Sequence, residues 1–312
     1  MKRQSIFLLA FLIVSVGELT AIVISNYQLE LVCKPLILLS LIGYYLASVQ
    51  NMKSQFFALP HLSMRFLPIW QRHLLVWKKV AIPSILGHLA DPLIYMLGLG
   101  YGLGTLIPEM GGTSYLLFLA GGTLCYSTMN SASFEALYSG FSRMHHQRTW
   151  DAILNTPITL DDIVVSEILW AATKSLMSGA AVLLVIWLLG MSHTLLSLWT
   201  IPLALLIGLC FSAIGLIMTA LAPSYDFFMY YFTLVITPMM MLSGVFFPVN
   251  QLPTALQGVS SILPLTHAID LARPLLIGNV PQNILLHLAV LLAYTLAGFY
   301  LSLVLFRNRL SK

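Results

Sequence analysis

The chain has 312 residues, of which 59% are hydrophobic and only 8% charged, with a mean hydropathy of +0.90. Soluble domains carry about a quarter charged residues, so this composition excludes a soluble globular protein and identifies a polytopic membrane protein. The formal net charge of +4 does not point to nucleic acid, because the cations sit where membrane topology wants them.

Spanning a bilayer takes about 20 mostly apolar residues, and eight stretches qualify in chain order: 6–25, 31–49, 81–107, 115–139, 164–190, 195–221, 227–247 and 283–306. The opening MKRQSIFLLAFLIVSVGELT has the charged and apolar regions of a signal peptide but no small-residue cleavage site, so it reads as a retained anchor. With eight spans threaded, Lys2, Arg3, Lys53, Arg65, Arg72, Lys78, Lys79, Arg143, Arg148, Arg307, Arg309 and Lys312 share one side, against Arg273 on the other. Lysine and arginine mark the cytoplasmic face, so both termini are expected in the cytoplasm. Cys33, Cys125 and Cys210 are far apart in apolar segments and read as packing residues; no metal site is expected.

The stretch RFLPIWQRHLLVWKKV, 65–80, puts Trp70, Leu74 and Trp77 on one helical face and its cations largely elsewhere. That pattern predicts an amphipathic helix at the cytoplasmic interface, aromatics at the headgroups and cations toward anionic lipid. GLGYGLG, 98–104, lacks the lysine of a phosphate-binding loop and predicts close helix packing. In RMHHQRTWDAILNTPITLDDIV, 143–164, Trp150, Ile153 and Leu154 form a small apolar face, and Asp161 and Asp162 open the next helix, where acids suit the helix dipole. Periodicity alone leaves this connection open between a docking surface and a loop packed on its own protein.

Buried charge is the other signal. Asp91 and Lys174 each lie about 15 Å along their spans at 1.5 Å per residue, and Glu135 and Glu167 lie nearer the cytoplasmic ends. Intramembrane charges pair or face a water-filled path; a structural Asp91–Lys174 pair and a translocation role for Asp91, Glu135 and Lys174 both remain open. The last unusual segment, 242–278, is apolar yet carries Pro248, Pro253, Pro264 and Pro274. Broken backbone survives at membrane depth only when packed in protein or lining water. The prolines predict that Pro248 ends the seventh span and that Pro253 opens a short helix closed by Pro264. A second helix, 265–277, should then be bent at Pro274, burying Ile269, Ala272 and Leu276. His267, Asp270 and Arg273 are expected to meet water or one another.

No GxxxxGK[ST], GxSxG or HExxH pattern occurs, so no nucleotide or hydrolase chemistry is expected on this chain. From about residue 52 onward the chain resembles the ABC-2 transporter permeases, and within them the nodulation-protein-J-like exporters. The resemblance rests on the amphipathic stretch 65–80, ADPLIYMLGLGYGLG, RTWDAILNTPITLDDIV, and LSGVFFPVNQLP followed by LPLTHAIDLARPLLIG. It implies an all-α, six-span permease core with a cytoplasmic amphipathic helix and a broken extracytoplasmic helix pair. By the same resemblance the chain is the permease subunit of a bacterial inner-membrane exporter and no enzyme. It would form a homodimer driven by a separate cytoplasmic ATPase, with ATP and magnesium bound there. Arg148, Thr149, Trp150, Asp151, Leu154, Thr156 and Pro157 would couple to the ATPase. Phe246, Phe247, Pro248, Pro264, His267, Asp270 and Arg273 would form an extracytoplasmic gate. The cargo would be amphiphilic: a lipid-linked saccharide, a lipooligosaccharide or a hydrophobic drug.

Residues 1–50 stand apart as a two-span appendage to a permease domain at 51–312. LELVCKPLILLSLIGYYL, 29–46, resembles the start of the YhhN/lysoplasmalogenase membrane family, but the resemblance stops near Val49. An intramembrane lysolipid hydrolase is therefore one alternative. A proton-driven secondary transporter is the other, and it would want internal repeats that are not visible. Two spans that enter and leave on the cytoplasmic side preserve the orientation of every later span. A chain starting at Met52 should therefore insert and function normally, and loss of assembly on deleting 1–51 would refute the appendage reading.

Overall fold

The computed structural model describes residues 57–107 and 109–310. The two expected N-terminal spans, with Glu18, Cys33 and Lys34, lie outside the described residues, as does the side chain of Asp91. Helix α1, Phe66–Lys78, is followed by α2, Ala81–Gly104. A hairpin of β1, Glu109–Met110, and β2, Thr113–Ser114, leads into α3, Tyr115–Phe134. Helix α3 runs on through π-helical turns at Glu135–Ser139 and Ser142–His146. Next come α4, Thr149–Leu154, and α5, Leu160–Leu188. They are followed by α6, Leu195–Leu221, and α7, Asp226–Leu242. Short α8, Thr254–Ser260, and α9, Pro264–Ile277, precede the last helix, α10, Ile284–Leu310.

The hairpin is not expected from an all-helical pattern. Gly111 and Gly112 both adopt positive φ, 61° and 77°, the conformation a two-residue type I′ turn requires. Among the described residues, α2, α5, α6 and α10 are long and apolar enough to cross a bilayer. Helix α6 is the hub, packed against α3, α5, α9 and α10. Fully buried small residues on it, Ala204, Gly208 and Ala213, permit that close approach.

Several boundaries differ from the sequence reading for local reasons. The helix expected as the seventh span stops at Leu242, well before Pro248, because Gly244 turns the chain with φ of 81°. Pro264 does not close α8, which ends at Ser260; it opens α9 at the first turn, where its missing N–H costs nothing. Helix α9 continues across Pro274. In 98–104 Gly100 meets α3 closely at Leu116 and Gly104 meets it at Tyr115, while Gly98 and Gly102 face open space.

Helix α3 and the turn after α7 approach each other backbone to backbone. A Cβ placed on Gly122 would stand 2.4 Å from the Val245 carbonyl oxygen and 2.8 Å from its Cα. That neighbour is backbone and cannot rotate away. Gly122→Ala should lower stability by about 1–3 kcal/mol, read as a reduced Tm of the purified protein. Gly102→Ala, with no atom within 4 Å, should leave the Tm unchanged or raise it. Equal melting of the two variants would refute the contact.

Candidate functional site

Toward the end of the bundle that carries Lys78, Arg143 and Arg307, four charges close on one another. Arg143, on the extension of α3, is held between Glu135 on the same extension and Glu167 on α5. Its Nε lies 2.9 and 3.1 Å from the two Glu167 oxygens and its Nη1 2.9 Å from Glu135 Oε1. Lys174 Nζ lies 3.1 Å from Glu135 Oε2. The indoles complete the set: Trp170 donates to Glu135 at 2.9 Å and Trp150 to Glu167 at 3.1 Å. Ser139 Oγ adds a bond to Glu135 at 3.0 Å.

Both glutamates are almost fully buried and Arg143 and Lys174 are 12% and 17% exposed. Isolated buried charges cost several kcal/mol each, and such a cluster survives only when every lone pair finds a donor. Here two acids face two bases, and all four carboxylate oxygens are bonded. His73 of α1 brings its Nε2 to 3.5 Å from Glu167 Oε1 without a hydrogen bond. Burial holds its imidazole down at about 4, against the opposing pull of Glu167, so at neutral pH it adds no charge.

The structure also places the other candidates. Lys174 pairs with Glu135. Trp150 is no exposed anchor: it is 1% exposed, bonded to Glu167 and packed against Phe306 with ring centroids 4.9 Å apart. Trp70 and Trp77 are half-buried toward α5, where Trp70 donates to Thr173 at 3.1 Å and Trp77 meets Trp170 edge-on. Arg72, Lys78 and Lys79 remain exposed. Of the coupling candidates, Arg148, Asp151, Thr156 and Pro157 are exposed, and Thr149 and Leu154 are half-buried.

Beside the cluster lies a cavity of about 650 Å³, walled by Arg72 and Trp77 of α1, Glu135 and Tyr138 of α3, and Trp170 and Lys174 of α5. A strap of residues before α1 is fastened to the start of α5. His61 N and Ser63 Oγ donate to Asp161 and Asp162, and Arg307 of α10 bonds both Asp161 oxygens at 2.7 and 2.8 Å. Asp162 also forms a capping box with Thr159, so the two acids do more than face the helix dipole.

At the opposite end, α9 lies over α3. Ile269, Ala272 and Leu276 are buried as expected, but His267 is buried too. Asp270 is exposed. Arg273 reaches back to the Gly244 carbonyl at 2.7 Å and stacks 3.6 Å above the Phe118 ring. Phe246, Phe247 and Pro248 are half-buried in the turn after α7. The last carbonyls of α9, orphaned at a helix end, are bonded by Ser192 and Thr194, and Gly278 ends the helix with φ of 98°.

Residues 64–277 match the ABC-2 type transporter family. The chain belongs to that family. It is 48% identical to nodulation protein J of Rhizobium leguminosarum bv. viciae over 254 residues, covering 81% of this chain and 98% of that protein. Nodulation protein J of Rhizobium meliloti is likewise 48% identical over 253 residues, covering 81% of this chain and 97% of that protein. The inner membrane transport permease YadH of Escherichia coli is 25% identical over 244 residues, 75% of this chain and 90% of that protein. No solved structure matches. The family match reaches from α1 to the end of α9 and so takes in both ends of the bundle.

Charge within the apolar spans marks Glu135, Glu167 and Lys174 in the sequence but not Arg143. By sequence Arg143 reads as a topology-setting cation, although Glu135, Ser139 and Arg143 at intervals of four share a helix face. Glu135→Gln and Lys174→Met should each cost about 3 kcal/mol, because each strands a buried charge. The double variant should lose much less than the sum, and additive losses in a thermal double-mutant cycle would refute the pairing.

Proposed function

We propose that this chain is the membrane permease subunit of an ATP-binding-cassette exporter, moving an amphiphilic cargo with energy from a separate ATPase. The reading of a permease rests on the family match over α1 to α9 and on the relatives that share most of the chain. The observation that carries the coupling is the position of α4. It exposes Asp151, with Arg148 before it and Thr156 and Pro157 after it exposed as well, while Trp150 reaches inward to Glu167.

A force applied to α4 from outside therefore reaches α5 through one indole hydrogen bond. Glu167 passes it to Arg143, Arg143 to Glu135, and Glu135 to Lys174 at the wall of the cavity. ATP and Mg²⁺ are bound by the partner, whose closure moves α4. The cavity takes the polar part of the cargo, and the cationic helix α1 beside it faces lipid headgroups. In this reading the bundle is a six-span core in the inner membrane with both termini cytoplasmic. Two copies form the pathway between them, with Asp91, Glu135 and Lys174 along it. Helices α8 and α9 cap the exit, with Arg273 tying the cap to α3.

Docking and transmission separate cleanly by mutation. Asp151→Lys reverses an exposed charge on the docking face and should weaken co-purification of the ATPase at least about tenfold with no change in Tm. Trp150→Phe keeps the ring against Phe306 and removes only the indole donor. It should retain the ATPase but lose the link between ATP turnover and export in proteoliposomes. An ATPase that binds and couples normally to both variants would overturn the assignment of α4.

A further inference from the structure

At the extracytoplasmic end of the bundle, a polar pocket of about 230 Å³ opens between α8, α9 and the start of α10. It is lined in part by Gln257, Ser261, His267, Asp270, Asn283 and His287. His267 is 3% exposed. Its Nδ1 lies 2.8 Å from Nδ1 of His287 and its Nε2 lies 3.0 Å from the Ser261 carbonyl oxygen.

These contacts assign both tautomers. A carbonyl only accepts, so the proton on the His267 ring is on Nε2. Its Nδ1 is then a lone pair, and Nδ1 of His287 must be the donor. We propose that this imidazole pair is a proton-sensitive latch, fastening α9 to α10 while His267 is neutral.

A first added proton goes to Nε2 of His287. It leaves the latch closed, because Nδ1 of that ring still donates, and Asp270 in the same pocket offsets the charge. A second proton can go only to Nδ1 of His267. That converts the acceptor into a donor facing another donor at 2.8 Å, and places two cationic rings in contact. The bond between α9 and α10 is then lost. Among the described residues lining the pocket, Asp270 is the one other charged side chain. Helix α8 contributes Gln257 and Ser260, and the connection before it Val249, none of which titrates in this range. Arg273, one turn beyond on α9, is directed to Phe118 and Gly244.

The second proton enters a buried ring beside a cation, which takes a pH well under the roughly 6.5 of an unperturbed imidazole, so the test compares about pH 7.5 with about pH 4.0. Amide hydrogen exchange of segment 261–277 is followed in the full-length protein in nanodiscs, with labelling times scaled for the intrinsic pH dependence of exchange. Exchange in the wild type should rise roughly tenfold at the lower pH as the segment opens. His267→Gln offers an acceptor toward His287 and a donor toward Ser261 but takes up no proton, so its exchange should stay low at both pH values. His287→Ala should exchange fast at both. A wild type indifferent to pH, or a His267→Gln variant that responds as the wild type does, would overturn the latch. Exchange is read without ATPase or cargo, so this outcome is independent of the transport reading.

Discussion

One guanidinium organises the half of the bundle that carries Lys78 and Arg307. Arg143 bonds two buried glutamates from different helices, and neither carboxylate is tolerable there without it. A low-dielectric interior makes such a pairing strong and its absence expensive, so the packing of α3 on α5 depends on that contact. The other members follow from the same requirement. Glu135 has an oxygen left over, which Lys174 and Ser139 take. Glu167 has further acceptor capacity, which the Trp150 indole takes. In this way a charge network inside the bundle fixes the place of α4, a six-residue helix too short to hold itself in position.

The opposite end obeys the same rule with neutral groups. Four prolines and several turns free backbone carbonyls in this segment, and each that is buried needs a donor. Arg273 supplies one to Gly244, Ser192 and Thr194 supply the end of α9, and His267 supplies Ser261. These side chains come from several parts of the chain, so the broken segment is secured by its neighbours more than by its own helices. An arrangement held by single side-chain bonds opens at lower cost than a continuous helix. That suits the cap proposed for this segment. The charge cluster, with every carboxylate oxygen occupied, suits the transmission proposed for it.

Parts of this were legible in the residues. Apolar run length located the helices α2, α5, α6 and α10 to within a few residues, because a bilayer demands that length whatever the packing. The prolines of 242–278 correctly announced short helices, since a missing N–H acts locally. Where the helix after Thr237 stops was not legible, because Gly244 and its φ of 81° decide it and a glycine alone does not declare its conformation. The apolar face at Trp150 was equally visible, but a face is not a direction. Which surface it covers depends on where Phe306 lies, and that residue belongs to the last helix of the chain.

By itself the sequence determined a membrane protein, its long apolar helices, its cationic side and the presence of costly charges at depth. All of these are properties of a segment in its solvent, and a segment carries them wherever it folds. Only the tertiary structure decided the partners: Lys174 with Glu135, Arg143 with Glu167, Arg273 with a backbone carbonyl, His267 with His287. Charge and hydrogen-bond satisfaction act over about 3 Å, and the chain brings together groups 20 and 39 residues apart. No local pattern encodes which of several deep charges will stand within that distance.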